Sequence, residues 1–122
     1  MSASSVPGKI LRVLSASADA ALAYSRELLL RSLGCEVKTS LSQSEAKALL
    51  ESEHFDLLVL GNSLTPRTCR ELAKDFRFHN PSGKIIEILS ARWHDPMNQP
   101  DTTTVGPEEL VAAVRKLASV SN

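Results

Sequence analysis

The sequence predicts an α/β fold, a parallel sheet held between two layers of helices. Three observations lead there. Short apolar runs alternate with segments of helical periodicity, the pattern of strands joined by crossover helices. Leu57-Leu58-Val59-Leu60 is apolar at every position, as expected of a central parallel strand covered on both faces. The signals between segments mark helix starts: Ser42-Gln43-Ser44-Glu45, Thr65-Pro66 and Gly106-Pro107-Glu108-Glu109. They supply a capping box, proline at the first helical position, and acids at the positive end of a helix dipole.

The elements follow in order. Residues 1–8 are expected to be a flexible tail, residues 9–118 one domain, and residues 119–122 a short C-terminal tail. The first strand is expected from Lys9 to Leu14, through Ile10, Leu11, Val13 and Leu14. Asp19 is a good N-cap for a helix from Ala20 to Leu33. Leu22, Leu29, Leu30 and Leu33 would form its apolar stripe, with Arg26, Glu27 and Arg31 on wetter faces. Gly34 suits the left-handed residue that ends it. A short, half-polar second strand, Glu36 to Thr39, suits a sheet edge. The capping box opens a second helix to Glu53, burying Ala46, Leu49 and Leu50. Leu57 to Leu60 is the third strand. Thr65 caps a third helix that ends near Phe78, with Cys69, Leu72, Ala73 and Phe76 on its core face. Lys84 to Leu89 is the fourth strand and Asp101 to Val105 a weak fifth. Pro107 opens a last helix that turns Leu110, Val111, Val114 and Leu117 inward. Right-handed crossovers between parallel strands then give a three-layer sandwich.

Composition narrows the function classes. A chain of 122 residues is long enough to bury about two thirds of its unfolded surface as one domain. Only one Trp, one Tyr and three Phe are present, so aliphatic side chains must build the core. Fourteen basic and fourteen acidic residues cancel, so no basic field recommends nucleic acid or an anionic membrane as a direct partner. No stretch approaches the roughly 20 apolar residues of a membrane span. Cys35 and Cys69 have no metal-ligand spacing and suit a cytoplasmic protein with reduced thiols.

Three local patterns resemble the receiver domain of response regulators, the chemotaxis-receiver-like module of two-component phosphorelay signalling. Gly34-Cys35-Glu36-Val37 resembles the family's Gly-Tyr-x-Val between first helix and second strand. Phe55-Asp56-Leu57-Leu58-Val59-Leu60-Gly61-Asn62-Ser63-Leu64 resembles its central strand, and Pro107 to Arg115 its final helix. Together they cover about residues 9–118. The resemblance implies a flavodoxin-like, doubly wound sheet of order 2-1-3-4-5.

It also implies a phosphorylation site at the carboxyl ends of the strands, where open parallel sheets place their ligands. Family members carry two acids after the first strand, a phospho-accepting aspartate after the third, a Ser or Thr after the fourth, and a lysine after the fifth. Carboxylates serve there because an anionic oxygen can both ligate a hard cation and attack phosphorus. In this chain the first strand runs into Leu14-Ser15-Ala16-Ser17, with Asp19 the nearest acid. Gly61 stands at the acceptor position, five residues on from Asp56. Ser90 keeps the hydroxyl position, Thr103 falls at the lysine, and Asp101 at the aromatic that switches in the family. Asn62 reaches the acceptor position only if the strand slips by one residue, which would reverse its faces. Twelve residues separate Ser90 from Thr103, and Pro96 and Pro100 are nearby helix breakers. The fourth helix of the family is therefore expected to be missing or reduced.

Other candidates are weaker. Asp56 begins its strand, at the edge away from the expected site, and suits a turn or cap. His54, His79 and His94 fall on separate segments with no ligand spacing. Arg92 and Trp93 in the proline-containing segment suit either an interaction hot spot or a cover for the sheet edge. The expected protein is a degenerate receiver: no enzyme, no cofactor, no metal, and another signalling protein or a second copy as partner. The alternative from a different class is a small-ligand or anion-binding domain using the Ser15–Ser17 and Gly61–Asn62 loops.

Overall fold

The computed structural model describes residues 10–89 and 100–120. Five strands and four helices alternate: β1 (Arg12–Ala16), α1 (Ala20–Ser32), β2 (Glu36–Ser40), α2 (Gln43–Ser52), β3 (Leu57–Leu60), α3 (Pro66–His79), β4 (Lys84–Ile88), β5 (Thr102–Thr104) and α4 (Pro107–Val120). All strands pair in parallel, in the order β2-β1-β3-β4-β5. This is the expected doubly wound topology. The expected loss of a helix between β4 and β5 falls chiefly on residues 90–99, outside the described residues.

Strand alternation divides the core between two faces. Leu14, Leu58, Leu60 and Ile85 pack against Ala46 and Leu50 of α2 and Cys69, Leu72, Ala73 and Phe76 of α3. Val13, Val37, Leu57, Val59, Ile86 and Ile88 face Leu30 of α1 and Leu110 and Val114 of α4. Each fully buried side chain of this size contributes about 1.5–3 kcal/mol, enough to offset few polar strains. Neither cysteine is in a disulfide, and both are buried within these layers.

The caps form as the sequence implies. Asp19 Oδ1 accepts the Leu22 N–H at 3.0 Å. Thr65 Oγ1 accepts that of Thr68 at 3.2 Å. Ser42 Oγ accepts that of Glu45 at 3.1 Å, while Glu45 reaches back to the N–H of Leu41, one residue earlier than a capping box requires. Gly34 follows α1 with φ of 89°, where a side chain would be strained.

Two details depart from expectation. β1 begins at Arg12 and continues through Ala16 rather than ending at Leu14, because Ser15 and Ala16 pair with Thr39 and Ser40 of β2 and with Val59 and Leu60 of β3. Small side chains fit where two layers cover a strand, so polarity at Ser15 does not end it. On α1, the buried residues are Ala23 and Leu30, whereas Leu22 is 37% exposed. The small Ala23 lies against the sheet, and Leu22 stands beside it.

The edge where the strands begin is fastened by side chains. Asp56 Oδ2 accepts the Arg12 N–H at 2.9 Å, Asn80 Oδ1 that of Phe55 at 3.1 Å, and Asp101 Oδ2 that of Ile85 at 2.8 Å. Each acceptor takes a backbone N–H beside a strand start. The Arg12 guanidinium joins Glu53 at 2.7 Å, Glu36 at 3.2 Å and the His54 carbonyl at 2.6 Å, and lies 5.3 Å from the Phe55 ring centre. Asp56 is thus a structural acceptor far from the opposite rim.

Candidate functional site

At the carboxyl edge, β1 and β3 hold the two loops that would form a site. The Gly61 N–H donates to Ala16 O at 2.9 Å, and the Ser17 N–H to Ser40 O at 3.1 Å. The loops then close on each other. Ser17 Oγ and Ser63 Oγ are 3.0 Å apart, and Ser63 Oγ also accepts the Ala18 N–H at 2.9 Å. Ser17 Oγ accepts the Asp19 N–H at 3.1 Å. The hydroxyls therefore serve the loops' own backbone.

Above this junction lies a residue that the sequence placed on a wet face. Arg26 extends from α1 so that a Cβ built on Gly61 would lie 2.8 Å from its Nη1 and 2.9 Å from Ala16 O. Both contacts are too close for a side chain. Arg26 Nη2 donates to Asn62 Oδ1 at 2.8 Å, and Nη1 is buried with no hydrogen-bond partner among the described residues. Burial pushes the guanidinium's pKa down, and the charge of Asp19 opposes that shift. An arginine keeps its proton even so. A fixed positive charge therefore stands over the third strand's end. Part of the signal was present in the sequence: Arg26 is four residues after Leu22 and three before Leu29, on one side of α1 with two residues of the expected apolar stripe.

The remaining predicted positions scatter. Ser15 is inside β1, 1% exposed, with its Oγ unpartnered, so the rim residue after β1 is Ser17. Asp19 spends one carboxylate oxygen capping α1. Asn62 reaches the site as a partner of Arg26. Thr103 is exposed within β5, paired in register with Glu87 and not at the strand's end. Ser90, Arg92 and Trp93 lie outside the described residues. The structure thus brings together Gly61, Asn62, Asp19 and Ser17 with Ser63 and Arg26, two residues that were not singled out as site positions.

A receiver's divalent cation does not fit these residues. Such an ion needs several anionic or carbonyl oxygens at short range. Here the rim offers serine hydroxyls engaged with backbone, one amide, a guanidinium of like charge, and a single carboxylate, Asp19, that caps α1 and acts on Arg26. Among the described residues no group of three or more His, Cys, Asp or Glu could hold a metal. His54 instead lies 3.4 Å from Asp56 at the other edge. No helix among the described residues is long and apolar enough to cross a membrane.

No protein-family model matches the sequence. No curated protein is significantly similar to it. Solved structures are similar in fold. A CheY-like response regulator receiver domain protein from Methanospirillum hungatei superposes with a TM-score of 0.78 at 21% identity, over 93% of this chain and 97% of that one. The response regulator protein TrrA from Thermotoga maritima, in complex with Mg(2+)-BeF, gives 0.77 at 22% identity, over 88% and 99%. A response regulator receiver protein from Sinorhizobium medicae gives 0.75 at 22% identity, over 93% and 98%. The chain has the receiver fold along nearly its full length.

Proposed function

We propose that the chain is a degenerate receiver, acting in signal transduction as a protein-interaction module whose regulation does not use aspartyl phosphorylation. One observation carries this reading: Nη1 of Arg26 lies 2.8 Å from where the Cβ of an acceptor side chain on Gly61 would be, so an acceptor there would contact a guanidinium. In a phosphorylatable site that volume holds a carboxylate facing a cation bound by other acids. Here the positive charge beside the position comes from a side chain of the protein itself, where a bound metal would supply it in that site. Ser17 and Ala18 follow β1 in place of an acidic pair. The receiver fold of the neighbours supports a role among signalling proteins, with another signalling protein or a second copy of the chain as partner.

Incubation with acetyl phosphate and Mg2+, followed by intact-mass measurement, tests the reading. The expected spectrum shows no Mg2+-dependent species heavier by one phosphoryl group. A stoichiometric adduct mapped to a carboxylate would overturn the proposal.

A further inference from the structure

Between α1 and α4, at the carboxyl end of the sheet, the described residues border a cavity of about 310 Å3. Its lining combines the apolar side chains of Leu22, Leu29, Ile88 and Leu110 with three polar ones, Ser25, Arg26 and Asn62. The volume lies at the small end of the range for ligand pockets, roughly 300–1,000 Å3. The chemistry also has the usual form, an apolar wall with a few polar groups to orient a guest.

Arg26 is the unusual member. Arg12, Arg31 and Arg67 each hold a carboxylate within 3.2 Å. Arg26 appears in no ion pair among the described residues. Of its five N–H groups, one Nη2 hydrogen is matched, and to a neutral amide oxygen. Partly removing a cation from water with no carboxylate in contact, only the charge of Asp19 acting at a distance, costs free energy, and an anion arriving beside it would recover part of that cost through charge-assisted hydrogen bonds.

The surroundings select the kind of anion. Asp19 is near enough to raise the proton affinity of Arg26. Glu108 and Glu109 occupy the first turn of α4, directly after the lining residue Pro107, which has no N–H to offer. Glu109 also accepts the Val105 N–H at 3.0 Å, which holds its charge at that end. A doubly charged phosphate would carry its second charge into the field of these neighbouring acids, with one arginine in the cavity wall to balance it. A singly charged group on an apolar body meets the arginine and the aliphatic wall with the least repulsion.

We propose that this cavity binds a small molecule carrying one carboxylate on an apolar body. The guanidinium of Arg26 takes the carboxylate, and Leu22, Leu29, Ile88 and Leu110 take the body. This site does not depend on the signalling reading, because it needs only the cavity and the unpaired charge.

Titration of the 15N-labelled full chain with benzoate, followed by amide chemical shifts, tests the assignment. Benzamide serves as the neutral isostere and inorganic phosphate as the polar anion. Saturable shifts confined to the amides around Asn62, Arg26 and Gly106 are expected for benzoate. Binding should be about tenfold weaker for benzamide, the worth of about 1.4 kcal/mol, and for phosphate no saturation is expected. Arg26→Gln should reduce benzoate affinity to the benzamide level while leaving the spectrum folded. The benzoate–benzamide difference in the unaltered chain stands even if that variant does not fold. Equal affinity for benzoate and benzamide, tighter binding of phosphate, shifts mapped elsewhere, or no saturation with benzoate would each overturn the proposal.

Discussion

The two edges of one sheet are built by opposite rules. Where the strands begin, nearby backbone donors meet a side chain aimed at them: Asp56, Asn80 and Asp101 accept the N–H groups of Arg12, Phe55 and Ile85. The arginine there is surrounded by two carboxylates and a carbonyl. Toward the strand ends, Ser15, Ser40 and Thr104 have buried hydroxyls, and Arg26 a buried Nη1, without hydrogen-bond partners among the described residues. A buried polar group without a partner costs stability, so an edge that keeps several is not arranged for stability alone. The carboxyl edge is also where parallel sheets hold ligands. One edge fastens the fold, and the other keeps polar groups without partners among the described residues, with Arg26 close beside Gly61.

Breaking the fastened edge should have the largest effect. Asn80 is 2% exposed, and Asn80→Ala leaves the Phe55 N–H buried and unmatched. A loss of about 2–3 kcal/mol is expected, read as a lower denaturation midpoint with unchanged slope. Gly61→Ala comes next. It forces a methyl against Arg26 and Ala16 O, with an expected loss of about 1–2 kcal/mol. Adding Arg26→Ala removes one of those contacts and leaves the backbone one, so recovery in the double variant should be partial. Complete recovery would show that Ala16 O is no obstacle.

A smaller effect concerns pH. The hydrogen bond from the Thr39 hydroxyl, aided by Arg31 and opposed by burial, holds the Glu27 carboxyl below the usual carboxylate range. A folded-state pKa below the unfolded value adds stability above the ordinary carboxylate value, about 4.3 for Glu. That stability disappears as pH falls through the folded value. Glu27→Gln should therefore lower Tm at neutral pH, and the gap between variant and parent should close in acid. The smallest effect tests the carboxyl edge. Ser15→Ala removes a buried hydroxyl that has no partner, so stability should change by less than about 0.5 kcal/mol, in either direction. A large loss in thermal denaturation would mean that the hydroxyl has a partner after all.

Most of the fold could be read from the sequence because its signals are local. The cap residues, the apolar run of β3 and Gly34 each act within a few positions, and all stand where they were expected. β1 was placed too early because a strand covered on both faces tolerates a serine that pattern reading treats as an end. Gly61 was legible as a missing side chain, but its occupant was not. Arg26 is 35 positions earlier in the chain, and only the crossover of α1 over the sheet brings it to the third strand. A charged residue within an apolar stripe was the one clue, and periodicity alone does not say what such a residue reaches. Asp19 could be read both as the nearest candidate acid and as the N-cap of α1, and its oxygen takes the capping role.

The central claim is that a guanidinium has taken the place of a divalent cation at the carboxyl edge. Titration with Mn2+, monitored by paramagnetic broadening of backbone amides, tests it most directly. The account predicts no saturable broadening centred on Ser17, Gly61 and Asn62. Broadening that saturates at those amides and is displaced by Mg2+ would contradict it.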